Sequence, residues 1–244
     1  MTATLPIVST EPRKRPLPTV EALEQLWSEV SSKPLYASPN FWRYLKLRWR
    51  MKLKLEDASK FKILAPKWKT NDCSGCTDIC CVGPHSTVTL GFRDIATLVD
   101  IGQTELISHK KPAFNGEVLD NRPALKRHVA TTSWQRFPVL KTNAMGACAA
   151  LTMDGQCGLY PYWPMSCSRF PYSAHIEEKK IFYSRRCDSF WIRPDTKESV
   201  EGMALEAVAS YNERIKDLIL LEYAPQRLEE MGLIRYLKNN HSPS

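Results

Sequence analysis

The chain has 244 residues, of which 43% are apolar, and a formal net charge of +8. This length is enough for a substantial hydrophobic core, so the eight cysteines are not needed as stabilising disulfides. No run approaches the ~20 apolar residues of a membrane span, and the first residues lack the apolar centre of a signal peptide. We therefore expect a cytoplasmic protein with no transmembrane segment, in which clustered cysteines bind metal or do redox chemistry.

The first predicted element is a helix that follows a disordered leader. Residues 1–18 mix proline, threonine and arginine without periodicity, which is typical of a disordered segment. Thr19 is the predicted N-cap, and Pro34 prevents the helix from continuing. Its predicted buried face comprises Val20, Leu23, Trp27 and Val30.

Residues 41–55, FWRYLKLRWRMKLKL, give two conflicting signals. The alternation of apolar and basic residues has the period of a strand, but the composition and the length favour a helix. We predict a helix, on which one face would present Arg43, Lys46, Arg50 and Lys54. This face suits RNA or an anionic membrane surface. Alternatively, it is a solvated helix surface that packs Trp42, Leu45 and Trp49 on its own domain.

The rest of the chain reads as a strand and helix, a turn-rich region and a helical end. Residues 86–102 predict a short strand running into a helix, with the helical period marked by Asp94, Ile95, Leu98 and Val99. From residue 137 onward, Asp154-Gly155 and the run 177–180 predict two hairpins. A C-terminal helix is predicted as far as Pro225, followed by a final helix over 227–239. One face of the first comprises Val200, Ala204, Ala207, Tyr211, Ile215, Leu218 and Ile219.

The segment CSGCTDICC, residues 73–81, concentrates four of the eight thiols in nine positions. A Cys-x-x-Cys turn lets Cys73 and Cys76 approach one ion from the same side. Cys80 and Cys81 are adjacent, and neighbouring side chains in extended backbone point to opposite faces. One of these two is therefore expected to complete the first site, while the other turns toward a second site or is buried.

The remaining predicted metal ligands are Cys148, Cys157, Cys167 and Cys187. Eight thiols suffice for two tetrahedral zinc sites, or for one iron–sulfur cluster, such as a four-iron cluster, with four thiols to spare, and the spacing does not decide. Four thiolates around Zn²⁺ leave a net charge of about −2, so cationic neighbours are expected. The candidates are Arg169, Lys179, Lys180, Arg185 and Arg186, although a solvated hairpin also contains such residues. His85 and His175 are secondary candidates for nitrogen ligands or ordinary polar residues.

Taken in order, the two cysteine motifs resemble the YkgJ-type cysteine-cluster family of zinc- or iron-chelating domains, which includes the flagellin lysine N-methylase. The resemblance covers about residues 70–190. Its pattern is C-x-x-C-x-x-CC, then v-x-l-t-x-x-D-I, then a distal cysteine, proline and aromatic frame. The matching positions are Cys73, Cys76, Cys80, Cys81, Asp94, Ile95, Cys148, Cys157, Tyr160, Pro164, Cys167, Phe170 and Pro171. The resemblance implies metal binding more directly than any reaction.

Three positions depart from the family pattern. One extra residue lies between Cys76 and Cys80, Trp163 stands where the family has arginine, and Ser168 follows Cys167 where arginine is usual. Arg169 comes one place later. The cysteines of the family pattern are all present despite these departures. Any contact that the missing arginines make in relatives is not expected in this chain.

The predicted fold is α+β, with helices flanking a small turn-rich β region organised around a cysteine-ligated metal centre. We expect a leader (1–18), a basic helical segment (19–70), the cysteine-cluster region (71–192) and C-terminal helices packed on it (193–240). The first functional hypothesis is a metal-binding protein, with iron–sulfur or zinc, whose centre is structural or transfers electrons. The alternatives are an S-adenosylmethionine-dependent lysine methylase-like enzyme, and a module that binds RNA or anionic membranes through residues 41–55. No catalytic residue is predicted.

Overall fold

The computed structural model describes a discontinuous set of ranges along the chain. These are residues 17–32, 42, 55–64, 69–71, 81–82, 87–110, 137–153, 155, 157–183, 190–192 and 197–237. Over these ranges the chain is a mixture of helix and strand, as expected for the α+β class. Residues 1–16 of the predicted leader, most of 41–55, and Cys73, Cys76, Cys80 and Cys187 lie outside them. The last residue of that leader, Pro18, already belongs to a helix.

Five α-helices are present in this part of the chain. They are α1 (Pro18–Ser31), α2 (Phe92–Asp100), α3 (Met165–Ser168), α4 (Lys197–Tyr223) and α5 (Pro225–Glu230). Short 3-10 turns lie at Ala58–Lys60, Thr104–Leu106 and Ile234–Tyr236. The predicted faces of α1 and α2 are largely buried, although Leu26 rather than Trp27 is buried on α1. On α4 the predicted Ala204, Ala207 and Ile215 are buried, whereas Leu218 is exposed. The final helix predicted over 227–239 is wrong in its extent, because Gly232 adopts φ +71° and ends regular helix after α5.

The strands are short and form three small sheets. Their bounds are β1 (Lys62–Ile63), β2 (Lys69–Asn71), β3 (Ile107–Lys110), β4 (Phe137–Leu140), β5 (Tyr172–His175), β6 (Lys180–Tyr183) and β7 (Phe190–Ile192). The first sheet has the order β1-β6-β5, with β1 parallel to β6. The pairs β2–β7 and β3–β4 are antiparallel. A bridge from Thr89 to Val139 adds the chain before α2 to the β3–β4 pair.

The hairpin predicted near 177–180 is present, and a chain reversal closed by a single bridge lies at the other predicted position. β5 and β6 pair around residues 176–179, where Lys179 has φ +52°. The other reversal lies between Leu151 and Cys157, which form an antiparallel bridge, and Gly155 there adopts φ +77°. Positive φ favours glycine, which explains the Asp-Gly signal in the sequence.

Helix α4 joins two hydrophobic clusters. Its first half places Ala204, Ala207 and Val208 against a cluster with Phe61, Tyr172 and Ile181. Its second half reaches a larger cluster, formed with α1, α2 and α5. The buried members of that cluster include Val20, Leu23, Ile95, Leu98, Cys148, Ala150, Leu159, Leu220 and Leu228. The turns around Cys148 and Cys157 therefore pack on the same core as helices α1, α2 and α5.

The start of α1 differs from the prediction. The helix begins at Pro18, Leu17 is its N-cap residue, and no local side chain caps it. Instead, the Asp100 carboxylate, at the end of α2, accepts the N–H groups of Thr19 at 3.0 Å and Val20 at 3.1 Å. Thr19 is therefore not the N-cap. A carboxylate suits this position because it satisfies two amides and lies at the positive end of the helix dipole.

Replacing Asp100 with alanine should lower the free energy of unfolding by about 1–2 kcal/mol, the usual cost of losing a helix cap. Urea denaturation of both proteins at neutral pH measures this difference. An unchanged denaturation midpoint would contradict the capping role.

Candidate metal centre and its surroundings

The end of the cysteine-rich segment lies beside the distal cysteines. The backbone N–H of Cys148 donates to the carbonyl of Cys81 at 2.7 Å. Cys148 is buried, and both Cys81 and Cys157 pack on the hydrophobic cluster that contains it. Cysteines 67 residues apart along the chain, 81 and 148, are thus neighbours in the fold.

Two tight turns hold the Cys148 and Cys157 backbone in place. Before Cys148, the Asn143 side-chain oxygen accepts the N–H groups of Met145 and Ala147, at 3.0 and 2.9 Å. After it, the bridge from Leu151 to Cys157 closes the second reversal. In a turn, such side-chain oxygens accept the backbone N–H groups that would pair with a neighbouring strand in a sheet.

The strand just before the cysteine-rich segment pairs with a strand in the distal half of the chain. In the β2–β7 ladder Asn71 pairs with Phe190. Cys73 follows Asn71 by two residues, and Cys187 precedes Phe190 by three. The sequence did not predict this ladder, because its strands are three residues long and 118 residues separate their ends.

Cys167 lies in the short helix α3, which a buried carboxylate attaches to α2. Asp94 is only 7% exposed. Its Oδ2 accepts the N–H of Gly91, and its Oδ1 accepts the N–H of Met165, both at 2.9 Å. Ser166 adds a hydroxyl hydrogen bond to the Thr89 carbonyl at 3.2 Å. Asp94 therefore links the first turn of α2 to the first turn of the helix that contains Cys167.

A second carboxyl group, Asp217 of α4, lies at the same end of α2. Its Oδ2 accepts the N–H of Phe92 at 3.1 Å. Gly91 has no room for a side chain here, because a Cβ would lie 2.7 Å from that oxygen. Burial raises the pKa of Asp217 to about 7, and the charges of Glu213 and Asp94 act in the same direction. Burial also raises the pKa of Asp94.

Asp217 borders a cavity of about 30 Å³ between α1, α2 and α4, which is room for one or two water molecules. The charged groups around it are paired, with Arg93 3.0 Å from Glu24 and Lys216 bonded to Glu213. The lining consists of Val20, Leu23, Glu24, Trp27, Arg93, Glu213, Lys216, Asp217 and Leu220.

Two arginines approach this region from different elements. Arg214 of α4 donates to the Thr89 hydroxyl at 3.3 Å. Arg169, just after α3, donates weakly through Nη1 to the Tyr172 carbonyl at 3.5 Å. The Nε of Arg169 is buried and has no acceptor among the described residues. Burial, and then the charge of Arg214, lower the pKa of Arg169, whereas Cys167 acts in the opposite direction.

The described part of the chain contains four of the eight predicted ligands. These are Cys81, Cys148, Cys157 and Cys167, and no disulfide joins them. Within this part, no three cysteine, histidine, aspartate or glutamate side chains form a group that could hold a metal ion. Cys73, Cys76, Cys80 and Cys187 lie outside it, as does His85.

Three other candidate residues contact groups away from these cysteines. His175 stacks edge-on against Phe182 at 4.5 Å, and its ring lies 3.9 Å from Glu178. Lys179 forms an ion pair with Glu56, and Lys180 pairs with Glu178. A third predicted cation, Arg169, has a pKa that the charge of Cys167 affects.

The basic segment is almost entirely outside the described ranges. Only Trp42 and Leu55 of residues 41–55 are described, and the Trp42 side chain is 77% exposed. Leu45, Trp49 and the whole basic face lie outside the described residues, so both interpretations of this segment stay predictions.

Comparison with known proteins gave no match to a family model, a curated protein or a solved structure. In the described ranges, no helix is both long enough and apolar enough to cross a bilayer.

The sequence analysis did not identify Asp217 or Arg214 as residues of this region. The predicted face of α4 was defined by apolar residues alone, so the charged residues near Ile215 were not considered. The available signal was a carboxylate and an arginine beside a buried helical position, in a chain where Asp94 already fell on the apolar side of another helix.

Proposed function

We propose that the protein binds a metal centre, zinc or iron–sulfur, through cysteines of residues 73–81 together with distal cysteines, and that this centre organises the central region or transfers electrons. The observation that supports the proposal most directly is the hydrogen bond from the Cys148 N–H to the Cys81 carbonyl. A shared centre requires thiols far apart in sequence to converge, and this contact brings the backbones of two such cysteines together.

The β2–β7 ladder supports the same proposal at the other end of the cysteine-rich segment. It pairs the backbone that leads into Cys73 with the backbone that follows Cys187. Both ends of residues 72–80 therefore adjoin regions that contain distal thiols.

Other ligands of the proposed centre lie outside the described residues. No three of the described Cys81, Cys148, Cys157 and Cys167 form a group that could hold a metal ion. A four-ligand centre would therefore also use thiols of Cys73, Cys76, Cys80 or Cys187, and two such centres would use all eight thiols.

The chemistry of the surroundings fits an anionic metal–thiolate group. The charges of Arg214 and Cys167 both affect the pKa of Arg169. The buried Nε of Arg169 lacks an acceptor within the described ranges. Such a buried donor normally has a partner, and thiolate sulfur is a suitable one.

Metal analysis of protein purified without oxygen tests the proposal. We expect either a brown protein with iron and acid-labile sulfide, or a colourless protein with stoichiometric zinc. Removing the metal with a chelator should lower the thermal midpoint, because binding to the folded state alone adds to stability. A folded, metal-free protein whose eight thiols all react with a thiol reagent would exclude the proposal.

Single variants then test the ligand assignment. Cys148→Ala and Cys167→Ala should each reduce the bound metal, since alanine removes the sulfur without burying a new polar group. Ser166→Ala is the matched control: it alters α3 next to Cys167 but leaves every thiol in place. Its metal content should equal that of the unmodified protein.

A further inference from the structure

Two carboxyl groups from different helices meet at the start of α2. The Asp94 carboxylate accepts the N–H of Gly91 at 2.9 Å, and Asp217 of α4 accepts the N–H of Phe92 at 3.1 Å. A Cβ built on Gly91 would lie 2.7 Å from Asp217 Oδ2 and 3.9 Å from Asp94 Oδ2, so both oxygens lie near the same backbone atom. Carboxylates that share a site repel each other, and such a pair favours retention of a proton.

The cations around Asp217 already bond to other groups. The charged residues that face it are Glu24 of α1, Arg93 and Asp94 of α2, and Glu213, Arg214 and Lys216 of α4. Within this set, Arg93 pairs with Glu24 and Lys216 pairs with Glu213. Arg214 donates to the Thr89 hydroxyl at 3.3 Å. Ionisation of Asp217 would therefore add a negative charge to which no cation of this set is dedicated.

The cavity beside Asp217 is too small to hydrate a carboxylate. Its volume of about 30 Å³ has room for one or two water molecules between α1, α2 and α4. Val20, Leu23 and Leu220 contribute apolar side chains to its lining. An ionised carboxyl group requires more water than this space holds, whereas a neutral one does not. Hydrating the ionised Asp217 thus requires the helices to separate locally.

We propose that the contact between Asp217 and the start of α2 is a pH-dependent switch. It is closed while the Asp217 carboxyl group holds a proton, and it opens locally to admit water between α2 and α4 when that proton is lost. This inference goes beyond the proposed metal centre and does not depend on it.

The direction of the switch follows from the burial of Asp217. In the closed state burial raises the pKa of Asp217 from 3.8 to about 7. In the open, hydrated state the pKa returns toward its ordinary value. Between these two values the closed state binds more protons than the open state, so opening becomes about tenfold more favourable for each pH unit. Above the closed-state pKa the opening equilibrium levels off.

Hydrogen exchange of the Phe92 amide, followed by NMR and corrected for the intrinsic pH dependence of exchange, tests the switch. We expect its protection factor to fall by up to about 100-fold between pH 5 and pH 7 and to change little at higher pH. In Asp217→Asn protein the protection factor should stay constant, because asparagine keeps an acceptor for this N–H and cannot ionise. Glu206→Gln is the matched control, since it changes an exposed carboxyl group on the same helix and should preserve the fall.

Urea separates local opening from global unfolding. Local opening exposes little surface, so low urea concentrations should not accelerate exchange at Phe92. The reference is the amide of Val208, which is fully buried in the half of α4 that packs on the other hydrophobic cluster. Exchange at Phe92 that accelerates with urea as steeply as exchange at Val208 would overturn the local opening.

Two further results would overturn the switch. One is a Phe92 protection factor in the unmodified protein that is constant from pH 5 to pH 8. The other is an equal fall in Asp217→Asn protein, which would show that another group is responsible. The pH profile of the unmodified protein decides the first point without any variant, so the test stands even if Asp217→Asn does not fold.

Discussion

Replacing Asp94 with alanine is expected to lower the free energy of unfolding by about 2–4 kcal/mol, because two partly buried amides would lose their acceptor. These are the N–H groups of Gly91 and Met165, each 2.9 Å from a carboxylate oxygen of Asp94. Urea denaturation with the unmodified protein as reference measures the effect. Since Asp94 holds α3, the variant should also bind metal more weakly if the proposed centre includes Cys167.

Asp100→Ala is the matched control for this experiment. Asp100 lies on the same helix and also accepts backbone N–H groups from a different element. Its hydrogen bonds, however, are to Thr19 and Val20 of α1 rather than to α3. It should reduce stability without changing metal affinity. Equal losses of metal affinity in the two variants would show that Asp94 has no special relation to Cys167.

Replacing Asp217 with asparagine should make the protein more stable than its parent at alkaline pH. The pKa of Asp217 is raised from 3.8 to about 7 in the folded protein. Between these values the folded state retains a proton that the unfolded state has lost, so stability falls as pH rises from about 4 to about 7. Asparagine keeps an acceptor for the Phe92 N–H and cannot ionise. A shift of about three pKa units sets an upper limit of about 4 kcal/mol for the difference above pH 7.

The measurement is the difference in unfolding free energy between the two proteins at several pH values. We expect the difference to be small near pH 4, to grow up to about pH 7 and then to level off. Asp57→Asn is the control. The pKa of the exposed Asp57 is lowered by its hydrogen bonds to Ser59, so its contribution changes only in acid. A difference between Asp217→Asn and its parent that stays constant from pH 5 to pH 8 would contradict the assignment.

Elements defined by local periodicity were predictable from the sequence. The buried positions Val20, Leu23 and Val30 of α1 match the predicted face, as do Ile95 and Leu98 of α2. The turn at 176–179 was also foreseen, because local turn chemistry specifies it.

Features that depend on residues distant in sequence were not predictable. The cap of α1 comes from Asp100, 81 residues beyond Thr19, and the parallel pairing of Ile63 with Ile181 spans a still longer interval. For the site, sequence spacing selected the cysteines and named Arg169 as a possible cation. The hydrogen bonds that distinguish Asp94 from other helical carboxylates depend on where α3 packs, which spacing alone does not reveal.

The backbone attachments on either side of residues 72–80 bear on the proposed metal centre. Asn71 pairs with Phe190 in a ladder, and the Cys81 carbonyl accepts the N–H of Cys148, so both flanks of this segment are attached to the distal half of the chain by folding alone. Part of the entropy needed to bring proximal and distal segments together is then a cost of folding rather than of coordination. If the proposed centre forms, its metal affinity should exceed that of a peptide with the same CSGCTDICC sequence.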